Sequence, residues 1–320
     1  MAGSIDRTTL LAFLGIVLLG GVNGTAIKVS NVELGPFWGA ALRFGLASLI
    51  FFGLVVVRRV PLPRGRRLAG SVLYGLLSFG VTFALVNWGL VQAPAGIAQI
   101  ILALVPLLTF LLAVGQGIER FRVQSLAGSA LAIAGVAFVF SERLSAEVPI
   151  LALLAIVGAA FSIAEANVIV KRFPRSDPTA NNAVAMGTGA LMLFALALAF
   201  GDPLRVPTQP DTWLALGYLV VVGSVIVFTL YLYVIVRWTA STTSYVLLLM
   251  PLVAVAVAAA WLAEPITPAV IAGGALVLAG VYLGAFAPSV ARPLPGLVRR
   301  ASRRAGATAG PPALQTPNCP

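Results

Sequence analysis

Apolar residues fall in runs of about 20 along nearly the whole chain, a length that carries a helix across a hydrocarbon layer of about 30 Å. Short polar breaks divide them into ten runs: 9–29, 36–57, 69–91, 94–117, 123–140, 148–170, 180–200, 212–236, 239–262 and 267–288. The breaks carry turn formers, as in "NVELGP", "PLPRGRR", "FPRSDP" and "AEPITP". Alternation with a period of two is missing, which argues against a membrane barrel. The pattern predicts an all-α membrane protein with ten transmembrane helices. No convincing small-residue cleavage site follows the first run, so it is read as a retained span rather than a signal peptide. Residues 289–320 are basic, free of acids and rich in Pro, Gly and Ala, and are expected to form a disordered cytoplasmic tail.

Composition agrees with this. The chain is 60% apolar and 10% charged, against roughly 25% charged in a soluble domain. It holds no His, and Cys319 is its one cysteine. Disulfides, Cys/His metal sites and thiol or imidazole catalysis are thereby excluded, and no cofactor is called for. In a soluble protein a net charge of +11 would point to nucleic acid. Here it follows the positive-inside rule. With the N-terminus in the cytoplasm, 17 of the 21 Lys and Arg lie on the inner side, including Arg58 to Arg67, Arg120, Arg122, Lys171 to Arg175 and Arg237. Glu33, Glu142, Glu147, Asp202, Asp211 and Glu264 then lie outside. The expected setting is an inner membrane, with both termini cytoplasmic and the lipid bilayer, not nucleic acid, as partner.

The chain repeats itself. With one offset of 145 residues, Pro106 meets Pro251, Glu119 meets Glu264, Gly128 meets Gly273 and Gly135 meets Gly280. Upstream the offset is 143, and "LLAFLG" meets "LLAIVG". This gives two halves of five spans, 1–145 and 146–288. Five is odd, so the second half enters the membrane in the opposite sense, an inverted repeat of the kind transporters use.

The segments ending "GIERF" and "LAEPIT", each followed by a Gly-x6-Gly helix ("GSALAIAG", "GGALVLAG"), together with "LRFGLAS" and "GVNGTAIK", resemble the drug/metabolite transporter superfamily, in particular its EamA-like members. The resemblance covers about residues 9–288. It implies a ten-helix fold, cytoplasmic termini and alternating access, often for export of amino acids or other small metabolites.

Several residues are candidates for the work. Pro106 and Pro251 lie mid-span at symmetric positions and are read as hinges, since each removes a helical hydrogen bond. Asn23, Asn87, Trp88, Gln99, Asn167, Tyr231, Tyr233 and Ser244 place amide, hydroxyl and aromatic groups at cavity depth, a lining that suits amphipathic solutes. The offset pairs Trp88 with Tyr233 and Gln99 with Ser244. Glu119 and Glu264 are read as helix-end or loop-bonding residues. Arg43 lies about 10 Å from the outer end of its span, and its side chain either snorkels to the headgroups or binds an anion. Glu165 is an acid well inside a span, about 9 Å from the inner end, and its side chain is expected to lean toward the midplane. Such a group is a functional hypothesis by default. Either it couples transport to protons, with Asn167 beside it, or it is a buried, protonated hydrogen-bond donor.

The expected function is a secondary-active transporter of a small-molecule solute. The alternative is a non-transporting scaffold or lipid-flipping protein. No nucleophile–base arrangement supports an enzyme, and no phosphate loop supports ATP-driven transport. "GGVNG", "GPFWG" and "GVYLG" are small-xxx-small motifs that pack either within one chain or across a homodimer.

Overall fold

The computed structural model describes residues 6–90, 92–93, 95–139, 149–262 and 267–287. Glu264, Glu142, Arg143, Glu147, Cys319 and the basic tail fall outside the described residues. Nine described helices are long and apolar enough to cross a membrane: α1 (Arg7–Ile27), α2 (Pro36–Val57), α3 (Arg66–Leu90), α4 (Ile97–Gly115), α6 (Ile150–Arg172), α7 (Pro178–Phe200), α8 (Pro210–Arg237), α9 (Ala240–Val257) and α10 (Pro268–Phe286). Between α4 and α6 lies α5 (Val123–Val139), an apolar helix of 17 residues. That is also enough for a crossing, so the expected all-helical membrane fold of about ten helices is found.

Local chemistry sets the helix ends. Pro36, Pro178, Pro210 and Pro268 occupy first turns, where the missing N–H costs nothing. Asp177, Thr239 and Thr267 accept hydrogen bonds from N–H groups of the turns they precede. Gly201 closes α7 in the left-handed conformation.

Packing follows the repeat. α2 packs on α7 and α5 on α10, while α1 packs on α8 and α9 as α6 packs on α3 and α4. Exchanging the halves leaves this scheme unchanged. The Gly-x6-Gly segments explain the α5–α10 contact. A Cβ on Gly128 would lie 2.4 Å from Gly284 N, and one on Gly135 would lie 2.7 Å from Gly273 O. The two helices therefore meet backbone to backbone, as small residues permit in membranes. Gly20 and Gly21 face Met250 and Val253, and Gly280 faces Ala132. These motif glycines are used within one chain.

The halves share a further feature. α3 contains a π-helical turn at Leu76–Val81 and α8 one at Val221–Ile226, again 145 residues apart. π turns displace backbone carbonyls from the helical ladder and recur at functional sites. The prolines are less symmetric. The stretch that includes α4 is broken into two helices, Ala95–Leu102 and Val105–Gly115, so Pro106 falls in a first turn. Pro251 lies inside the helix Val246–Leu262.

Candidate functional site

The π turns of α3 and α8 each present a carbonyl to the other half. Leu77 O accepts the hydroxyl of Ser162 from α6 at 3.0 Å and that of Thr82 at 2.7 Å. Gly223 O accepts Arg43 Nη2 from α2 at 2.9 Å and Asn23 Nδ2 from α1 at 3.5 Å. Arg43 Nε also donates to Ser224 Oγ at 2.9 Å. Arg43 is only 3% exposed, which corrects the snorkelling alternative. The π turn of α8 supplies polar partners inside the bundle, so the guanidinium does not need the headgroups. Its carbon lies 5.0 Å and 5.6 Å from the ring centres of Phe44 and Phe83.

Arg43 lines a narrow cleft with Ser30, Asn31, Phe83, Asn87 and Leu219. Asn87 Nδ2 donates to Pro36 O at 2.9 Å in the same wall. A second narrow cleft opens at the arginine-rich end between α3, α6, α7 and α8, with Arg67, Tyr74, Phe173, Asn181 and Val236 among its walls. Both clefts draw on both halves. An aromatic cluster joins them: Tyr74 to Phe79 at 5.7 Å, Phe79 to Phe44 at 4.9 Å and Phe44 to Phe83 at 4.7 Å, with Phe228 4.7 Å from Phe79.

Asn167 and Tyr231 are brought together. Tyr231 donates to Asn167 Oδ1 at 2.6 Å, and Asn167 Nδ2 donates to Thr109 Oγ1 at 3.4 Å. All three are buried. The chain links α8, α6 and α4, so it too crosses between halves. Thr109 was missing from the sequence candidates. The available signal was a hydroxyl seven residues before Gln116, on the same helical stripe.

Glu165 does not share this cluster. Gln116 Nε2 donates to both its carboxylate oxygens, at 3.0 and 2.8 Å, and Gln116 Oε1 accepts from Arg172 at 3.0 Å. The carboxylate is thus tied toward the charged ends of α4 and α6. This corrects the expected lean toward the midplane. Gln116 caps the end of α4 and reaches it from that side.

The other candidates scatter. Ser244 is buried and donates to Ser241 O of its own turn at 2.7 Å. Tyr233 lies 3.5 Å beneath the Arg237 guanidinium, at the end of α8. Trp88 and Gln99 are half-buried and join neither cluster. Among the described residues, Asn23 Oδ1 is buried without a hydrogen-bond partner, as are both amide atoms of Asn182. Glu119 bonds the loop that starts α9, accepting Ser241 N at 3.1 Å and the Ser241 hydroxyl.

Near the cleft that Arg43 lines, the two halves clasp each other. Asp202 accepts Phe37 N and Trp38 N at the start of α2, at 2.8 and 3.0 Å. Glu33 accepts Thr208 N at 2.6 Å, the Thr208 hydroxyl and Gln209 N at 3.3 Å. The Thr208 hydroxyl, aided by those N–H groups, holds the Glu33 carboxyl down at about 2.

Two related halves, crossing polar contacts and a cleft on each side of an aromatic cluster define a polytopic membrane protein built as a two-fold repeat. The EamA-like transporter family matches the chain twice, over residues 7–141 and 150–285, and the chain belongs to it. This is a transporter family, not an enzyme family. Among its relatives, a "Probable amino-acid metabolite efflux pump" of Salmonella typhimurium is 28% identical over 87% of this chain and 94% of its own. A "Probable terminal-alkyne amino-acid exporter" of Streptantibioticus cattleyicolor is 31% identical over 80% of this chain and 83% of its own. "Uncharacterized inner membrane transporter YedA" of Escherichia coli K12 is 27% identical over 70% of this chain and 73% of its own. A solved crystal structure shares the fold with a TM-score of 0.74 at 20% identity, over 87% of this chain and 96% of its own.

Proposed function

We propose that this transporter is a secondary-active exporter of amino-acid-like small metabolites, working by alternating access in the inner membrane with both termini cytoplasmic. The observation that carries this is the pair of clefts, each lined by both halves and separated by the aromatic cluster of Phe44, Phe79, Phe83 and Phe228. The halves 1–145 and 146–288 are the moving units. Exchanging their conformations would close one cleft and open the other. Pro106 and Pro251 are the hinges, and Asn167 with Tyr231 and Thr109 joins the halves beside the inner cleft. Amino-acid solutes are supported by the names of the relatives. Glu165 is the proton-coupling group, held by Gln116 within reach of the charged end.

The experiment is flux of labelled amino acids in proteoliposomes, with and without an imposed pH gradient. Wild type should accumulate solute against its gradient when protons run down theirs. Glu165→Gln should fold and insert, exchange neutral solute, and lose the response to pH. An unchanged response would leave Glu165 a hydrogen-bonding residue only. Absence of any flux in wild type would favour a scaffold or lipid-flipping role. Orientation is tested with an impermeant maleimide on Cys319, which should react only after the cytoplasmic side is opened.

A further inference from the structure

We propose that Arg43 is the docking point for the carboxylate of the transported solute, held in the cleft formed by α1, α2, α3 and α8. This rests on the export reading above and names the chemical group recognised at one of its clefts.

The argument starts from the charge. Arg43 is buried inside a membrane span, and an arginine is always protonated. Its hydrogen-bond partners are the Gly223 carbonyl and the Ser224 hydroxyl, both neutral. No Asp or Glu is among its partners in the described residues. A buried charge with dipoles and ring faces but no counter-charge is under-compensated.

Geometry then says where a carboxylate would sit. Nε and Nη2 form the side edge of the guanidinium, and α8 occupies that edge. Nη1 and the second N–H of Nη2 form the end-on fork, and Nη1 has no protein partner among the described residues. A planar fork of two N–H groups matches a carboxylate in bidentate fashion. The residue lines a narrow cleft, and Asn87 and Asn31 in the same walls are neutral amides that bring no competing charge. Phe83 supplies an apolar face for the rest of the solute. The side edge fixes the plane of the guanidinium through a π turn, so the fork is set before the solute arrives.

The test uses the full chain in proteoliposomes. The probe is a mixture of the common L-amino acids, run beside a mixture of their methyl esters, with counterflow read by mass spectrometry. Wild type should move one or more free acids and discriminate against the matching ester. Arg43→Gln should raise the half-saturating concentration of the acid by about 10- to 100-fold and reduce the preference for acid over ester. Arg43→Lys, which keeps the charge but not the fork, should fall between. Acid and ester moved equally by wild type would overturn the anchor while leaving export standing. Flux of neither would remove the amino-acid reading, and the anchor with it. Should Arg43→Gln fail to fold, the acid-against-ester comparison in wild type and in Arg43→Lys still decides. A folded Arg43→Gln with wild-type half-saturation and selectivity overturns the proposal.

Discussion

Gly273 and Gly274 are neighbours in α10, yet alanine should act on them with opposite sign. In a helix interior, Gly→Ala ordinarily stabilises by about 0.5–1 kcal/mol, because alanine loses less backbone freedom. Among the described residues, the new methyl at Gly274 meets only Leu252 Cδ2, at 3.6 Å, an ordinary contact. At Gly273 it would lie 2.6 Å from Val139 Cγ2 and 2.7 Å from both Gly135 O and Val139 N. The last two are backbone atoms of α5, so relief requires separating two helices by several tenths of an ångström or more. Overpacking of that kind costs about 1–3 kcal/mol. The net expectation is a loss of about 1–2 kcal/mol for Gly273→Ala and a gain of up to about 1 kcal/mol for Gly274→Ala. Denaturant unfolding in mixed micelles, followed by tryptophan fluorescence, reads both. Gly135→Ala strains the same contact from the other side, so the double variant Gly135→Ala/Gly273→Ala should cost less than the sum of the singles. Equal stability of the Gly273 and Gly274 variants, or strict additivity of the pair, would refute a backbone-to-backbone α5–α10 interface.

Three further outcomes follow from the contacts. Tyr231→Phe strands Asn167 Oδ1 in a buried position and should destabilise by about 1–3 kcal/mol, with an unfolding double-mutant cycle against Asn167→Leu showing coupling above about 0.5 kcal/mol; zero coupling would break the α8–α6 link. Pro251→Ala removes a proline from a helix interior and should raise stability while slowing flux, whereas Pro106→Ala, in a first turn, should leave stability nearly unchanged; the same unfolding and flux assays compare them, and equal stability effects would undo the distinction. The Glu33 clasp has the sign of a depressed carboxylate: its contribution is complete above the ordinary value of 4.5 and is lost as pH falls through about 2. Transport between pH 5 and 8 should therefore show no titration due to Glu33, and Glu33→Ala should speed amide exchange at Thr208 and Gln209 across that range; unchanged exchange would remove the clasp.

The spans and the duplication were legible because each rests on a pattern that many residues carry together. Apolar runs mark what lies in lipid, and glycines at matched offsets mark the repeat. What escaped depends on single contacts across the fold. Nothing in "LLSFGV" or "VVGSVI" announces a π turn, since both are mostly apolar, with one serine each, and continue the helical pattern. Without that turn, Arg43 has no visible partner except the headgroups, and snorkelling is the reasonable expectation. Glu165 was misaimed for a related reason. Side-chain tilt within its own helix favours the midplane, but Gln116 from a neighbouring helix outweighs that tilt with two hydrogen bonds. The candidates Trp88, Gln99, Tyr233 and Ser244 share a property with the site, polarity inside a span, but not a location.

The division between duplicated and unduplicated positions carries one step further. The proline positions, the paired glycines, the π turns of α3 and α8 and the inter-half packing recur between the halves, as a scaffold shared by two halves should, with Pro106 starting a helix segment where Pro251 lies inside one. The buried polar groups do not recur. Glu165 and Asn167 correspond to Val22 and Gly24, Tyr231 corresponds to Val86, and α7, the counterpart of α2 and its Arg43, carries no charged residue. Each of these groups is costly to hold in a membrane, and the opposite half folds without its equivalent. A two-fold scaffold can exchange its conformations end for end. A solute with a carboxylate at one end has no such symmetry, so the groups that recognise it must break the repeat. On that reasoning the site is to be sought where the halves differ, and the machinery of motion where they agree.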